Sequence, residues 1–267
     1  MASKHIAIIG AGRMGTALIM GWLKARSRPE ISIVDPKPSE LLTELTTDEE
    51  LAVNPAPEPV DIVVVAVKPQ IFLKAAQDIT PWIGPNTLVL SIMAGIRIKT
   101  LSEHLGTQRV VRAMPNTPGA IGWGVSVLCA GDGSLKKDIT DARRLLKPLG
   151  HVEGPVPEAQ MSAVTGVSGS GPAYLFLLVE AIAAAAEAEG LSPELSSNLA
   201  RETVIGAAQL LYETGQEPGR LRKEVTSKGG TTEAALDILL SGSGMPSLIR
   251  EAVRAAAARE RSLSSGK

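Results

Sequence analysis

Three glycines near the start of the chain have the spacing of a turn that could hold a phosphate group. The apolar run His5 to Ile9 leads directly into Gly10, Gly12 and Gly15, and a helix-like segment follows from Thr16 to Lys24. Glycine at the first two positions permits a tight turn and a close approach of backbone to a pyrophosphate, which N–H groups at the helix start can bind. The glycine spacing alone is weak evidence, but the order strand, glycine turn, helix predicts a dinucleotide-binding unit.

An acidic residue follows at the distance where such a unit meets the ribose of the nucleotide. A second apolar run, Ile31 to Val34, ends at Asp35, which lies 20 residues after Gly15. Asp35 suits the free ribose hydroxyls of NADH, and its charge would repel the 2′-phosphate of NADPH. The ammonium group of Lys37 could reach that phosphate, although a solvated surface lysine is an equally ordinary interpretation. These residues predict a nicotinamide cofactor and leave the choice between the two forms open.

Two glycine-rich loops in the second half combine hydroxyl groups with backbone N–H groups at the start of a helix. They run from Thr165 to Pro172 and from Thr226 to Glu233. The second is the better anion site, because a substrate carboxylate there would meet the helix N-terminus, the Ser227 hydroxyl and the nearby charge of Lys228. Plain helix capping is the alternative, since Ser, Thr and Gly favour these positions in any protein. The number of glycines favours a ligand over capping alone.

The remaining ionisable residues form no catalytic pattern. His5, His104 and His151 lie outside any motif and are interpreted as structural or surface residues. A single cysteine, Cys129, excludes an internal disulfide and leaves too few thiols for a cysteine-rich metal site, so we predict no metal. Arg112 could contribute charge to a site, but a structural ion pair is the favoured interpretation.

The elements that must position the first glycine turn are predicted to form a parallel α/β sheet. Helical segments separate several further strand-like runs, as expected for such a sheet. Open α/β sheets hold their ligands at the carboxyl ends of the strands, where Lys68, Pro69 and Gln70 end one run and the segment Ser91 to Gly95 ends another. The additional runs are Asp61 to Val67, Thr87 to Ile92, Arg109 to Ala113 and Gly124 to Leu128.

The second half is predicted to be helical throughout, after a Gly- and Pro-rich linker from Gly150 to Pro157. The stretch Ala181 to Ala188 carries little more than methyl groups on every face, which favours burial against other helices, including those of a second subunit. Helix propensity in a monomer is the alternative. The predicted helices are Pro172 to Glu189, Pro193 to Glu213, Gly219 to Thr226, Thr232 to Leu240 and Pro246 to Arg261.

Composition limits the classes of partner. With 27 basic and 28 acidic residues, the formal net charge of −1 supplies no field that would draw the protein to nucleic acid or to an anionic membrane. We recognise no signal peptide, anchor or apolar run of the ~18 residues that a membrane span needs. The expected location is therefore the cytoplasm.

Five segments together resemble the pyrroline-5-carboxylate reductase family over nearly the whole chain. They are GAGRMG, AVKPQ, RAMPNTPGAIGWG, TGVSGSGPAYLF and SKGGTT. The resemblance implies an α/β, Rossmann-like, doubly wound N-terminal domain, residues 1–155, and an all-α substrate-binding and dimerisation domain, residues 156–267. It also implies an active site between the domains and a homodimer, assembled further in many members.

The resemblance assigns site residues by position. The substrate 1-pyrroline-5-carboxylate would be held by Ser227, Gly229, Gly230, Thr231 and Thr232, with Ser227 at the carboxylate and Thr232 at the ring nitrogen as the catalytic pair, and by Asn116. The cofactor, NADPH in preference to NADH, would be held by Gly10, Gly12, Arg13, Met14, Gly15, Asn54, Ala66, Val67, Lys68, Pro69, Ala94, Gly95, Met114 and Pro115, together with Asp35 and Lys37 from the spacing argument above. Two departures are visible: Lys228 replaces the usual Pro after the serine, and Gly119 replaces a common Ala.

The implied reaction is hydride transfer from the reduced nicotinamide to the C=N carbon, the last step of proline biosynthesis. A protonated imine is already electrophilic, so orientation of the two rings matters more than a side-chain acid. A β-hydroxyacid dehydrogenase would need a lysine in the helical half, and none occurs between Lys147 and Lys223. A non-catalytic NAD(P) sensor would need the first glycine turn but not the second loop.

Overall fold

A computed structural model describes residues 4–26, 28–45 and 51–264 of the chain. Its centre is one eight-stranded sheet with the order β3-β2-β1-β4-β5-β6-β7-β8. The order reverses between β1 and β4, which is the point where doubly wound sheets open a crevice for a ligand. The strands are β1 His5–Ile9, β2 Glu30–Val34, β3 Leu51–Val53, β4 Val60–Val65, β5 Ile83–Ser91, β6 Val110–Met114, β7 Gly124–Ala130 and β8 Gly150–Glu153.

The central strands are apolar on both faces because both faces are covered. In β1, Ile6 and Ile8 belong to one buried cluster, and Ala7 and Ile9 belong to a second one. Successive side chains of a strand point to opposite faces, so a continuous apolar run must be buried on two sides. The predicted α/β sheet with helices on both faces is confirmed, and the covering layers leave the strand ends as the place for ligands.

Two details of the sheet differ from the prediction. The pair β6·β7 is antiparallel, with Arg112 opposite Cys129, whereas the sequence analysis predicted a parallel sheet. The prediction of a linker from Gly150 to Pro157 was also wrong in part, because Gly150–Glu153 forms β8 and pairs in parallel with β7. Gly150 has φ +124°, so glycine there starts an edge strand rather than a flexible connection.

Helices separate most of the strands in the first half of the chain, and the second half contains further helices. Short 3₁₀ turns precede or follow several of them, including one at Thr117–Ile121. The helices are α1 Arg13–Leu23, α2 Glu40–Glu44, α3 Phe72–Ile79, α4 Ile98–Leu105, α5 Lys136–Leu146, α6 Met161–Val164, α7 Gly171–Ala188, α8 Pro193–Thr214, α9 Pro218–Glu224, α10 Thr231–Leu239 and α11 Met245–Ser264.

Packing divides the chain into two units. The first comprises the described residues up to 170 together with 255–264, and the second comprises residues 171–254. The last ten described residues of α11 therefore pack with the sheet, where Ala257 and Glu260 are buried. The packing boundary at residue 170 lies beyond the boundary at residue 155 expected from the sequence.

The second unit consists of helices, as predicted, and exposes many apolar side chains. Phe176 and Leu177 of α7 are 64% and 63% exposed, and Ile205 and Tyr212 of α8 are also exposed. By length and composition alone, the helical run Glu158–Ala188 is apolar enough to cross a membrane, which the sequence prediction did not anticipate. An apolar surface of this extent marks an interaction site.

Candidate functional site

The glycine turn after β1 is built to leave room outside the backbone. Gly10 has φ +95°, and a side chain there would lie 3.0 Å from the backbone of Ala66. At Gly15 a Cβ atom would lie 2.4 Å from the carbonyl oxygen of Gly10, so the helix can approach the turn only with glycine. At Gly12, by contrast, a Cβ atom would meet no atom within 4 Å. The turn is thus tight on its protein side and open on its outer side.

The open side carries unsatisfied hydrogen-bond donors. Gly12 is the N-cap of α1 and provides no side-chain cap, and the first turn of the helix contains no acidic residue. The carbonyl of Gly12 accepts the N–H of Thr16, and within the described ranges no group accepts the N–H groups of Arg13 and Met14. These N–H groups and the positive end of the helix dipole fit a pyrophosphate. The residues present therefore fit a dinucleotide.

Asp35 holds the turn rather than standing free beside it. One carboxylate oxygen accepts the N–H of Ala11 at 2.7 Å, and the other accepts the N–H of Lys37 at 2.8 Å. Asn54 is bound to the same residue, because its side chain accepts the Asp35 N–H at 3.0 Å and donates to the Asp35 carbonyl at 2.9 Å. The side chain of Lys37 is exposed. Asp35 and Asn54 therefore link β2, the segment after β3 and the glycine turn.

The end of β4 forms the opposite wall of the crevice. The N–H of Ala66 donates to the carbonyl of Ile9 at 2.8 Å, which ties the strand end to the strand before the glycine turn. Val67 follows, and its nitrogen would lie 3.0 Å from a Cβ atom at Gly10. Lys68 is exposed and is the N-cap of a 3₁₀ turn that starts at Pro69.

Two further turns leave neighbouring strands at the same edge. After β5, Ala94 and Gly95 form a turn in which Gly95 has φ +72° and lies against Leu263 of α11. After β6, Met114 and Pro115 lead to Asn116. Since β5 and β6 are parallel neighbours, their carboxyl ends lie side by side.

Asn116 has a structural role that sequence reasoning did not foresee. Its side-chain oxygen accepts the N–H of Val125 at 2.9 Å, which fixes the start of β7. Only its amide NH₂ group is left for a ligand among the described contacts. Met114 packs against the segment after α6, because a Cβ atom at Gly169 would lie 2.7 Å from its terminal methyl group.

The second predicted loop lies in the second unit. Ser227 is exposed and accepts the N–H of Gly230 through its carbonyl at 3.1 Å, while Gly229 has φ +70°. Gly230 is the N-cap of α10 and offers no side chain, so the helix starts at Thr231 with an open N-terminus. Thr232 follows in the first turn. The loop therefore leads into a helix N-terminus that no side chain of its N-cap residue covers.

One carboxylate already occupies part of that loop. Glu233 accepts the N–H of Gly229 at 2.6 Å, so this donor is not free for a substrate carboxylate. The sequence prediction included Gly229 as a donor and did not consider Glu233. An acidic residue three positions after the N-cap is a recognisable capping signal, and it could have identified this contact.

The histidines are in structural positions, as interpreted from the sequence. His5 bonds Ser32, His104 bonds the carbonyl of Thr100, and His151 pairs with Glu153. Across residues 4–26, 28–45 and 51–264, no group of three or more His, Cys, Asp or Glu side chains could hold a metal ion. Arg112 forms the ion pair that the sequence favoured, with Glu158 at 2.6 Å.

The fold and the glycine turn define a Rossmann-type dinucleotide-binding protein with an additional helical unit. Residues 5–95 match a family model described as NADP oxidoreductase, coenzyme F420-dependent, and residues 158–263 match one described as pyrroline-5-carboxylate reductase dimerisation. The chain is 40% identical to the pyrroline-5-carboxylate reductase of Pseudomonas aeruginosa over 98% of both chains. It is 37% identical to that of Arabidopsis thaliana over 98% of this chain and 96% of the relative. The chain belongs to the pyrroline-5-carboxylate reductase family, which confirms the resemblance.

Solved structures agree over the full length. A pyrroline-5-carboxylate reductase from Coxiella burnetii superposes with a TM-score of 0.88 at 32% identity, covering 98% of this chain and 99% of the other. The pyrroline carboxylate reductase of Plasmodium falciparum, whose structure has NADP bound, gives a TM-score of 0.81 at 28% identity and 99% coverage of both chains.

Proposed function

We propose that this protein reduces 1-pyrroline-5-carboxylate to L-proline, the last step of proline biosynthesis, with NADPH as the preferred reductant. The observation that carries the proposal is the uncapped N-terminus of α1 at an open glycine turn, in a chain that matches named reductases over 98% of its length. Such a turn is suited to the diphosphate of a dinucleotide.

The proposed cofactor site follows the carboxyl edge of the sheet. Backbone N–H groups at Gly12, Arg13 and Met14 bind the diphosphate, with Gly10 and Gly15 shaping the turn. The ribose and adenine side comprises Asp35, Lys37, Asn54 and the strand end Ala66, Val67, Lys68 and Pro69. The nicotinamide side comprises Ala94, Gly95, Met114 and Pro115.

NADPH is preferred because Asp35 is already engaged. Its two oxygens accept backbone N–H groups of Ala11 and Lys37, which offsets part of the negative charge that would repel a 2′-phosphate. The exposed ammonium group of Lys37 and the guanidinium group of Arg13 then supply positive charge near that phosphate. NADH remains a weaker substrate in this proposal.

The proposed substrate site uses hydrogen bonds rather than an ionisable catalyst. The Ser227 hydroxyl and the N–H group of Thr231 bind the carboxylate, and the Thr232 hydroxyl bonds the ring nitrogen. Gly229 and Gly230 shape the loop, since the N–H of Gly230 donates to the Ser227 carbonyl and that of Gly229 to Glu233. The amide NH₂ group of Asn116 is available to the substrate ring. When bound, the reduced nicotinamide supplies the hydride. The described residues need only orient the imine and stabilise its charges.

We propose further that the protein works as a cytoplasmic homodimer. The residues that match the dimerisation model include α7 and α8, whose exposed apolar side chains require cover. A second copy supplies that cover in this proposal. Light scattering coupled to gel filtration should therefore give at least twice the chain mass of 27.9 kDa.

The direct test follows the absorbance of NADPH, and separately of NADH, with purified protein and 1-pyrroline-5-carboxylate, and identifies proline by chromatography. We expect turnover with both cofactors and a higher kcat/KM with NADPH. Equal kcat/KM values for NADPH and NADH, with proline as the product, would overturn only the assignment of the 2′-phosphate contacts. Cofactor binding without turnover would overturn the reductase proposal and favour a sensor.

A further inference from the structure

A partly buried group of ionic and hydroxyl side chains joins β6, the start of α4 and the end of α11, next to the two turns that we assign to the nicotinamide side. Its members are Arg112 of β6, Glu158, Ser162 of α6, and Glu260 and Ser264 of α11, and we call it the Arg112 cluster. Arg112 is 4% exposed and Glu260 is 5% exposed. All five residues belong to the first packing unit.

Glu158 connects β6 to the start of α4, the helix that follows the turn after β5. One of its carboxylate oxygens accepts Nη1 of Arg112 at 2.6 Å. The same oxygen accepts the backbone N–H of Ile98 at 2.8 Å, and Ile98 is the first residue of α4. The turn with Ala94 and Gly95 ends at this helix start. A single oxygen of Glu158 therefore joins Arg112, two positions before Met114, to Ile98, three positions after Gly95.

Glu260 completes the cluster from the end of α11. It accepts the hydroxyl of Ser162 and, at 2.9 Å, that of Ser264, and it lies 3.9 Å from Nη2 of Arg112. The same end of the helix supports the first turn, because a Cβ atom at Gly95 would lie 3.5 Å from Leu263. The helix end is thus fixed both to Arg112 and to the turn.

Stability alone does not account for this arrangement. The pair places a buried guanidinium group beside a carboxylate whose side chain is 33% exposed, and the cost of removing the arginine from water offsets part of their attraction. Arg112 also has an imperfect set of partners, since its Nε atom is buried with no hydrogen-bond acceptor among the described residues. An ion pair fixes distance and direction, which apolar packing does not.

We propose that Glu158 and Arg112 are positioning residues of the cofactor site, which hold the Ala94–Gly95 turn and the Met114–Pro115 turn at the spacing that the nicotinamide half of NADPH needs. The inference rests on the proposed function. It assigns these side chains no contact with the cofactor. Their effect passes through the start of α4 and the end of β6.

The test compares Glu158→Ala with Glu158→Gln. Alanine removes the acceptor for both Ile98 and Arg112, whereas glutamine keeps an oxygen that can accept both bonds. We expect Glu158→Ala to raise the Kd for NADPH, measured by its fluorescence, about tenfold, and Glu158→Gln to stay within about threefold of wild type. Hydrogen exchange at the Ile98 amide should accelerate in Glu158→Ala only. The KM for NADPH should rise while the KM for the imine stays within about twofold.

A second ion pair, immediately before the same strand and mostly buried, gives a control. Arg109 precedes β6 and donates its Nε to Asp138 at 3.1 Å, at the end of the strand remote from the turns. Asp138→Asn should lower the unfolding temperature without changing the Kd for NADPH. An equal rise in the Kd for NADPH in Asp138→Asn and Glu158→Ala would show that the Arg112 cluster contributes only to protein stability. That result would overturn the inference.

If Glu158→Ala does not fold, Glu158→Asp replaces it, because a side chain shorter by one methylene keeps the charge and cannot reach both partners. An unchanged NADPH Kd in the folded variant would overturn the inference and leave the reductase proposal intact. A wild-type protein that binds no NADPH would overturn the proposed function, and the inference with it.

Discussion

Substituting Gly12 separates cofactor binding from protein stability. Gly12 has φ −67° and ψ −168°, an extended conformation that alanine adopts without strain. A Cβ atom there would meet no protein atom within 4 Å, so the methyl group would project only into the space that we assign to the diphosphate. We therefore expect Gly12→Ala to weaken NADPH binding and to leave the cofactor-free protein folded.

The size of the effect follows from the donors at the start of α1. A methyl group at Gly12 would keep the diphosphate away from the N–H groups of Arg13 and Met14, and each hydrogen bond to a charged group contributes about 1.5–3 kcal/mol. Loss of one such bond raises the Kd about 10- to 100-fold. The cost to stability should be at most about 1 kcal/mol, because alanine is a poorer N-cap than glycine.

Gly15→Ala is the matched control, because its Cβ atom would lie 2.4 Å from the Gly10 carbonyl oxygen. It should lower the free energy of unfolding by about 1–3 kcal/mol despite the better helix propensity of alanine. Calorimetry of the cofactor-free proteins and NADPH fluorescence titration measure the two quantities separately. An unchanged Kd in Gly12→Ala would refute the placement of the diphosphate at this turn.

Three other predictions concern single side chains. Thr232→Ala should lower kcat/KM for the imine about 10- to 100-fold through the loss of one bond to a charged nitrogen, and unchanged kinetics would remove Thr232 from the site. Glu233→Gln should lower the KM for the imine about two- to fivefold, because it removes a repulsion of roughly 0.5–1 kcal/mol between the Glu233 carboxylate and the substrate carboxylate. A higher KM would mean that Glu233 organises the loop. Burial raises the pKa of Cys129 to about 11 from 9.0 in the unfolded chain, so the folded state binds more protons above pH 9 and its stability should fall between pH 9 and 11, by about 2 kcal/mol at pH 10.5. Comparing the unfolding temperatures of wild type and Cys129→Ala at pH 8 and pH 10.5 tests this, and parallel losses in both proteins would contradict it.

The sequence predicts the sheet and the glycine turn because their signals are local. Each apolar run is a few consecutive residues, and the spacing of Gly10, Gly12 and Gly15 and the acidic residue after β2 lie within 26 residues of the chain, from Gly10 to Asp35. The antiparallel β7 and the edge strand β8 were not predicted, because strand direction depends on long-range pairing and β8 has only four residues. A short strand that begins with glycine has the composition of a loop.

The contacts of the site residues were less predictable than their identity. Asp35 was expected beside the ribose, and its oxygens bind the N–H groups of Ala11 and Lys37, which lie on both sides of it in the chain. Arg112 was expected in an ion pair, but no pattern in the sequence identified Glu158, 46 residues away, as its partner. Such pairs depend on where α6 and α4 meet the sheet, and this is fixed by packing.

The two proposed anion sites have the same backbone plan but opposite electrostatic settings. α1 begins with no acidic residue in its first turn, so its donors are free for a ligand that carries more than one negative charge. α10 carries Glu233 in its first turn, and the carboxylate of Glu233 accepts the N–H of Gly229 and lowers the local positive potential. A substrate carboxylate must therefore bind beside this charge or displace it from Gly229. It follows that the second site should hold a monocarboxylate weakly by itself, and that the bond from Thr232 to the ring nitrogen is needed to select the imino acid over other small anions.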